Sequence, residues 1–318
     1  ATERQYFSGA LILRGTLANK LNIRSTISGI VSRLSLDTGG SQTLRYLNVK
    51  DSDASGGQTL TCNDCTDAGN NTNWLFVSPT ITGRLFSDEG VTPIANKTVA
   101  VSVNGGTIAD KTETDAGGQF ILSGATMTGG TVLTLFINNE VQNAVTVVLS
   151  SGSSMTGVDM FQNRVILRSE SGSSPVTLTT LNIANTLTDN DIILLLPISG
   201  SSTFLHMPNG IELFVWTGST FRPTSTITVH DIDIDGTLAN TTNTVQVKGS
   251  WDAGSGSVTG TGTIDFAALG SAETIRSGTN TYSGATFSGS GSWTLQDAMD
   301  VNGYFDLQRG TLNQSVYA

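Results

Sequence analysis

Apolar and polar residues alternate with a period of two, and this pattern constrains the chain more than any other feature. The alternation is clearest at 98–103 and recurs at 133–137, 144–149, 211–216 and 244–247. Successive side chains of a β-strand point to opposite faces, so this period predicts strands with one buried face. Turn residues separate the runs at short intervals. The sequence therefore predicts an all-β fold with almost no helix, apart from one or two turns around Leu178–Leu181.

Composition supports this fold class and excludes several functions. Only 13% of the 318 residues are charged and 36 are glycine, which suits short strands and tight turns better than solvent-exposed helices. The net charge of −10 argues against binding to nucleic acid, which requires a basic surface. No apolar run reaches the length of about 18 residues needed to span a bilayer. We expect neither a nucleic-acid partner nor a membrane span.

Three zones follow from the distribution of strands and turn residues. Residues 1–80 form glycine-punctuated strands, 81–160 form a denser block of regular strands, and 161–318 become progressively richer in Gly, Ser and Thr. We expect these zones to be an N-terminal solenoid-like β segment, a β-sandwich and a C-terminal solenoid-like domain.

Short internal echoes connect the two outer zones. Arg-Gly-Thr-Leu occurs at 14–17 and 309–312, and Gly-Thr-Leu-Ala-Asn at 15–19 and 236–240. Repeated short strands at a spacing of about 20 residues indicate the coils of a β-solenoid. No polar capping segment is evident beside the first or last coil. Because open strand edges invite pairing, the echoes predict end-to-end assembly.

The central zone resembles a known class of small domain. Residues 81–90 and 93–99 are followed by Thr-Asp-Ala-Gly-Gly-Gln-Phe at 114–120. This pattern is similar to that of the transthyretin-like, carboxypeptidase-regulatory or Cna-B type of Ig-like β-sandwich. The last motif predicts a tight hairpin with a glycine at positive φ and an aromatic residue returning to the core. It carries no chemistry of its own.

The outer zones resemble the β-helical repeats of large bacterial surface and adhesin-type proteins. The residues that carry this resemblance lie at 46–57, 70–74, 249–252, 262–266 and 301–305. The resemblance implies a structural or adhesive role and an extracellular or cell-surface location.

Cys62 and Cys65 are the two cysteines of the chain. A redox Cys-x-x-Cys motif needs a βαβ context, whereas the residues flanking this pair are typical of turns. A metal site would need further ligands, and His206 and His230 lie far away in sequence. We therefore expect a local disulfide and no metal or cofactor.

The segment 230–236 resembles the start of an EF-hand calcium loop, but Thr242 stands where the loop requires glutamate. Its aspartates alternate with Ile232 and Ile234, which favours a strand with an exposed acidic face, and a bulge or corner is expected near His230. A polysaccharide-cleaving enzyme remains an alternative, because β-helical enzymes gather carboxylates on one face. The candidates for that alternative are Asp231, Asp233 and Asp235, with Arg222 and Lys248 nearby in sequence.

Glycans enter the predictions in two ways. Four sequons place candidate N-glycosylation at Asn70, Asn96, Asn240 and Asn313. Tryptophans can also form platforms that stack on sugars, although packing in the core is the commoner role of a lone Trp. The tryptophans are Trp74, Trp216, Trp251 and Trp293.

These observations predict a structural subunit, or one repeat, of an extracellular fibre or surface adhesin, and not an enzyme. We expect it to assemble head to tail with copies of itself through its terminal strands. A monomeric adhesin or carbohydrate-binding module is the alternative. The residues expected at the contact are Tyr6, Phe7, Leu11, Leu13, Leu17, Val301, Tyr304, Phe305, Leu307 and Leu312.

Overall fold

The computed structural model describes residues 4–16, 19–199, 204–270 and 272–314. Strands dominate and the described helical segments are short, so the prediction of an all-β fold is confirmed. None of the described helices is long and apolar enough to cross a membrane. The chain divides into two compact units, Ala1–Pro79 and Thr80–Ala318, called unit 1 and unit 2 below.

The described residues of unit 1 form ten strands. They are β1 (Arg4–Phe7), β2 (Ala10–Arg14), β3 (Leu21–Arg24), β4 (Ser32–Leu36), β5 (Ser41–Arg45), β6 (Leu47–Lys50), β7 (Ser52–Asp53), β8 (Leu60–Asn63), β9 (Thr66–Asp67) and β10 (Trp74–Val77). They form three parallel sheets in the orders β1–β4–β7, β2–β5–β8–β10 and β3–β6–β9. The chain thus visits three sheets in turn, and one such passage is called a coil below.

The inward-facing apolar residues of the strands in unit 1 form an aliphatic interior. Leu36, Leu44, Leu47 and Leu60 are almost fully buried, together with Val49, Ala54 and Cys62. Residues in register on neighbouring strands share one row, for example Leu44 and Cys62. Since side chains in such a row pack on the coil before and the coil after, a coil is well covered only when both neighbours are present.

The first part of unit 2 consists of two packed sheets. Its strands are β11 (Ile81–Phe86), β12 (Thr98–Val103), β13 (Ile108–Glu113), β14 (Gln119–Leu122), β15 (Gly129–Ile137), β16 (Val145–Ser151) and β17 (Met160–Phe161). One sheet has the order β14–β11–β17, and the other begins β13–β12–β15–β16. Residues from both sheets, among them Leu85, Val101, Phe120 and Leu135, share one core.

The motif at 114–120 behaves as predicted in two respects and differently in a third. Gly118 has φ +72° and Phe120 is buried. The flanking strands do not form a hairpin, however, because β13 pairs with β12 while β14 pairs with β11. The turn instead carries the chain from one sheet to the other.

The remaining chain of unit 2 again winds through three sheets. Its elements are β18 (Arg164–Ser169), β19 (Val176–Thr177), α1 (Leu178–Ala184), a 3₁₀ turn (Asn185–Leu187), α2 (Asn190–Ile193), β20 (Ile198–Ser199), β21 (Phe204–His206), β22 (Glu212–Val215), β23 (Thr220–Arg222), β24 (Ile227–Val229), β25 (Asp231–Ile234), β26 (Thr237–Ala239), β27 (Thr244–Val247), β28 (Trp251–Asp252), β29 (Ser257–Thr259), β30 (Thr263–Phe266), β31 (Glu273–Arg276), β32 (Thr281–Phe287), β33 (Ser292–Leu295), β34 (Asp300–Leu307) and β35 (Thr311–Asn313).

Sheet order shows how the two parts of unit 2 join. The sheet that begins β13–β12–β15–β16 continues through β18–β22–β25–β28–β31–β33–β35. The other two sheets are β19–β23–β26–β29 and β20–β21–β24–β27–β30–β32–β34. His230 lies between β24 and β25, so the corner expected there is present.

The helix predicted around Leu178 is present as α1. Thr177 caps its N-terminus by accepting a hydrogen bond from the Thr180 backbone, in a capping box. Leu178 and Leu181, with Ile192 of α2, pack in the same core as the interior of the coils. The two helices thereby add their apolar residues to the core that the strands form.

Candidate functional site

Two regions of the described chain carry residues that the sequence singled out, namely the sheet edges at the outermost coils and an acidic groove on unit 2. At the first coil, β1, β2 and β3 each lie last in their sheet order. Tyr6 and Ile12 are more than half exposed there, and Leu21 is 40% exposed. An unpaired strand edge next to exposed apolar side chains is a surface suited to pairing with another chain.

The far end of unit 2 presents a similar edge. Strand β34 lies last in its sheet, beyond β32. Phe305 and Leu307 lie in register with the buried residues Ala285 and Phe287, so they belong to the inward-facing rows. They are nevertheless 49% and 48% exposed, since no further described coil covers them. Within the described residues, inward-facing side chains of β34 are therefore half exposed.

The structure places the predicted contact residues unevenly. Tyr6 and Phe7 lie on β1, Leu11 and Leu13 on β2, and Leu312 on β35. Val301, Tyr304, Phe305 and Leu307 all lie on β34. Leu11 is only 4% exposed, so it would contribute through its backbone more than through its side chain. Leu17 lies outside the described residues.

The acidic groove lies on the outward face of consecutive parallel strands in unit 2. It is lined by Glu89, which follows β11, and by Glu212, Asp231, Asp233, Asp252 and Glu273, which lie on β22, β25, β28 and β31. Its volume is about 380 Å³. Parallel register produces the cluster, because it sets Glu212 beside Asp231 and Asp233 beside Asp252.

Most of these carboxylates have partners. Arg164 donates to Glu89 at 2.7 Å and to Glu212 at 2.8 Å. Asp231 lies 2.8 Å from Nδ1 of His230 and accepts the Ser250 backbone N–H at 2.7 Å. The network therefore ties the segment after β11 to the face of the coils.

Asp233 differs from its neighbours. Its carboxylate oxygen lies within 4.8 Å of those of Glu89 and Glu212. Burial raises the pKa of Asp233 to about 8, with the charges of Asp235 and Asp252 adding to the effect. Burial likewise raises the pKa of Glu212, although Arg164 opposes this. A carboxyl that keeps its proton at neutral pH beside ionised carboxylates can act as a hydrogen-bond donor or as an acid.

Sequence reasoning found part of this groove. It singled out Asp231 and Asp233, whereas Asp235, Arg222 and Lys248 do not line it. Glu89, Glu212, Asp252 and Glu273 were missed because each stands alone in the sequence. Each acidic residue falls at an outward-facing position in the alternating pattern of its strand, and this could be read from the sequence. It shows that the residues lie together only once the register between neighbouring coils is known.

The predicted disulfide and glycan sites occupy distinct places. Cys62 is joined to Cys65. Asn70, Asn96 and Asn313 are exposed. Asn240 is 1% exposed, and its side chain donates to the carbonyl of Thr263, so its amide is inaccessible in the folded protein.

The tryptophans form no exposed platform in the described chain. Trp251 and Trp293 are completely buried. Trp74 stacks on Phe76, and Trp216 packs with Phe161 and Phe214. These are packing roles.

Comparisons with protein-family models, curated proteins and solved structures find no match to this chain. The resemblances of 81–149 and of the outer zones therefore stay predictions.

Proposed function

We propose that this protein is a structural subunit of an extracellular fibre or surface adhesin and assembles head to tail with copies of itself. In this proposal the coils of both units are β-solenoids, and the two packed sheets of unit 2 are an Ig-like sandwich between them. The contact is made by the edge strands of the outermost coils.

The half-exposed inward rows at β34 are the observation that carries the proposal. Phe305 packs against Phe287, with ring centroids 5.3 Å apart, and continues a stack formed by Phe287 and Phe266. Fully burying an aromatic or aliphatic side chain contributes roughly 1.5–3 kcal/mol. A further coil laid on β34 would gain this burial together with a row of backbone hydrogen bonds.

Two further observations support an extracellular location. The Cys62–Cys65 disulfide suits an oxidising compartment. The low content of charged residues and the many Ser, Thr and Asn residues are those of a turn-rich surface protein. Exposed Asn70 and Asn96 offer sites for glycans if the host attaches them.

Substitutions that introduce charged side chains at the end of β34 test the assembly. We expect the unmodified protein to form elongated particles by negative-stain electron microscopy, and the double variant Phe305→Glu/Leu307→Glu to remain single. Leu269→Glu is the matched control, because Leu269 is 81% exposed and lies outside β34. Single particles of the unmodified protein would favour the monomeric adhesin, and particles unaffected by the double variant would reject this end as the contact.

The acidic groove favours a second candidate function, cleavage of a polysaccharide. In that case Asp233 would donate its proton to the leaving oxygen, and the neighbouring Glu212 or Asp231 would act as base or nucleophile. The test is release of reducing ends from a panel of polysaccharides. Asp265→Asn is the control, because Asp265 and its hydrogen-bond partner Gln246 lie together on a sheet other than that of Asp233. Activity that is lost in Asp233→Asn and kept in Asp265→Asn would support the candidate. No release from any polysaccharide would reject it.

A further inference from the structure

The segment from the end of β1 through β2 shares a spacing of inward apolar residues with the edge strand β34. Phe7, Leu11 and Leu13 pack on the interior of unit 1, at relative positions 0, 4 and 6. Val301, Phe305 and Leu307 repeat these positions in β34, opposite Tyr282, Ala285 and Phe287. Each set also has a glycine at relative position 2, namely Gly9 and Gly303. The first coil of unit 1 and the last described coils of unit 2 thus carry the same pattern.

The glycines show what this position normally faces. A Cβ added to Gly303 would lie 1.8 Å from the carbonyl oxygen of Ser283 in the preceding coil. Likewise, a Cβ on Gly40 would lie 2.6 Å from the carbonyl oxygen of Gly9. Both positions need glycine because the backbone of the preceding coil passes too close for a side chain.

Gly9 is a glycine without such a neighbour. A Cβ placed on it would meet nothing within 4 Å, and its φ lies outside the left-handed region. Neither space nor backbone conformation within the described chain requires glycine at this position. The equivalent glycines, Gly303 and Gly40, each face the backbone of an earlier coil, whereas Gly9 faces no earlier coil within the described residues.

We propose that β2 of one copy pairs in parallel with β34 of a second copy, setting Leu11 and Leu13 opposite Phe305 and Leu307 and bringing Phe7, at the end of β1, to the level of Val301. Gly9 then lies over the backbone of β34 near Asn302 and Gly303. This inference rests on the proposed head-to-tail assembly and specifies its contact.

The register of β2 on β34 follows from the alternation of inward and outward side chains along each strand. Inward residues must meet inward residues, since a shift of one position would turn Phe305 and Leu307 towards the outward, solvent-exposed face of β2. Parallel pairing is expected because every described coil of unit 1 pairs in parallel with the next. In this register, outward-facing Ile12 lies beside outward-facing Asp306.

A glycine substitution tests the close approach. Gly9→Ala adds a methyl group that has open space in the single chain but would collide with β34 in the assembly. We expect the concentration needed for assembly to rise about tenfold or more, with thermal stability of the single chain unchanged. Gly39→Ala is the matched control, because a Cβ there also meets nothing within 4 Å. Assembly of Gly9→Ala at the unmodified concentration would overturn the proposal.

Engineered cysteines test the register independently. The native cysteines are paired with each other, so new thiols can be read without interference. Mild oxidation of Ile12→Cys/Asp306→Cys should give a ladder of covalent multimers, whereas Tyr6→Cys/Asp306→Cys, which probes β1, should not. A ladder only from the Tyr6 variant would overturn the β2 contact while leaving assembly intact. An unmodified protein that stays monomeric would reject the proposed function itself, and this contact with it.

Discussion

Unit 1 and the coils of unit 2 contain turns with the same asparagine hydrogen bonds, called corners below, but these corners differ in how deeply they are buried. In unit 1, Asn73 donates to the carbonyls of Ala54 and Gly57 at 3.1 and 3.2 Å. In unit 2, Asn280 donates to the carbonyls of Ala253 and Gly256 at 3.0 and 3.3 Å. In both corners an aspartate, Asp53 or Asp252, accepts the backbone N–H two residues later.

The difference lies in what surrounds the corner. Asn280 is 8% exposed and also accepts the Val258 N–H, whereas Asn73 is half-buried. Unit 1 has an aliphatic interior of a few coils, while unit 2 adds the buried rings of Trp251, Phe266 and Phe287. Coils are therefore stabilised mainly by their neighbours, and among the described residues the outermost coils have a neighbour on one side only.

Removing an aromatic ring from a middle coil should have the largest effect on stability. Phe266 is fully buried between Trp251, Phe287 and Trp293. We expect Phe266→Ala to lower the free energy of unfolding by about 3–5 kcal/mol. Phe305→Ala should lower it by about 1 kcal/mol or less in the single chain, because that ring is already half exposed. Urea denaturation at low protein concentration measures both, and equal losses would contradict the difference between middle and outer coils.

The shared corner predicts the next largest effect. Asn280→Ala leaves the carbonyls of Ala253, Gly256 and Ser277 without this donor, in a buried site. We expect a loss of about 3 kcal/mol, against about 1 kcal/mol for Asn73→Ala, whose site water can reach. Equal losses of stability for Asn280→Ala and Asn73→Ala in thermal unfolding would contradict the difference between the two corners.

The disulfide should matter to unit 1 alone. The chain-entropy model gives about 2 kcal/mol for closing so short a loop. We expect Cys62→Ser/Cys65→Ser to lower the unfolding temperature of unit 1 and to leave unit 2 unchanged. Hydrogen exchange followed by peptide can separate the two units, and faster exchange throughout unit 2 would contradict this expectation.

The acidic groove gives the stability of unit 2 a pH dependence through Asp233. The unfolded chain ionises Asp233 near pH 3.8, whereas the folded chain holds the proton up to about pH 8. The contribution of protonated Asp233 to the stability of the folded protein is thus fully present below pH 3.8 and is lost as the pH rises towards 8. We expect Asp233→Asn to be more stable than the unmodified protein by about 1–2 kcal/mol at pH 8, after allowance for partial exposure, and similar at pH 4. A variant without this pH-dependent gain in urea denaturation would show that Asp233 ionises normally.

Much of the fold could be predicted from local pattern. The alternation at 98–103 became β12 over the same residues, and the helix at Leu178 was visible. The apolar stretch Ile192–Ile198 was harder, because a short apolar run does not distinguish a strand from a buried helical turn; its first residues lie in α2. The sheet change at Gly118 was also hidden, since a turn motif does not specify which strands its neighbours pair with.

The candidate sites depended on information that the sequence holds only indirectly. Glu89 and Glu212 are 123 residues apart and meet through Arg164, which no spacing rule connects. The repeated segments indicated that the two ends of the chain are similar, but the half-exposed state of Phe305 and Leu307 required the register of β34 on β32.

Head-to-tail assembly is tested most directly by measuring the molar mass of the unmodified protein by light scattering across a dilution series. Assembly through open ends predicts a mass that rises with concentration well beyond the 33.2 kDa of one chain, without stopping at a dimer. A constant mass of 33.2 kDa at every concentration would contradict it.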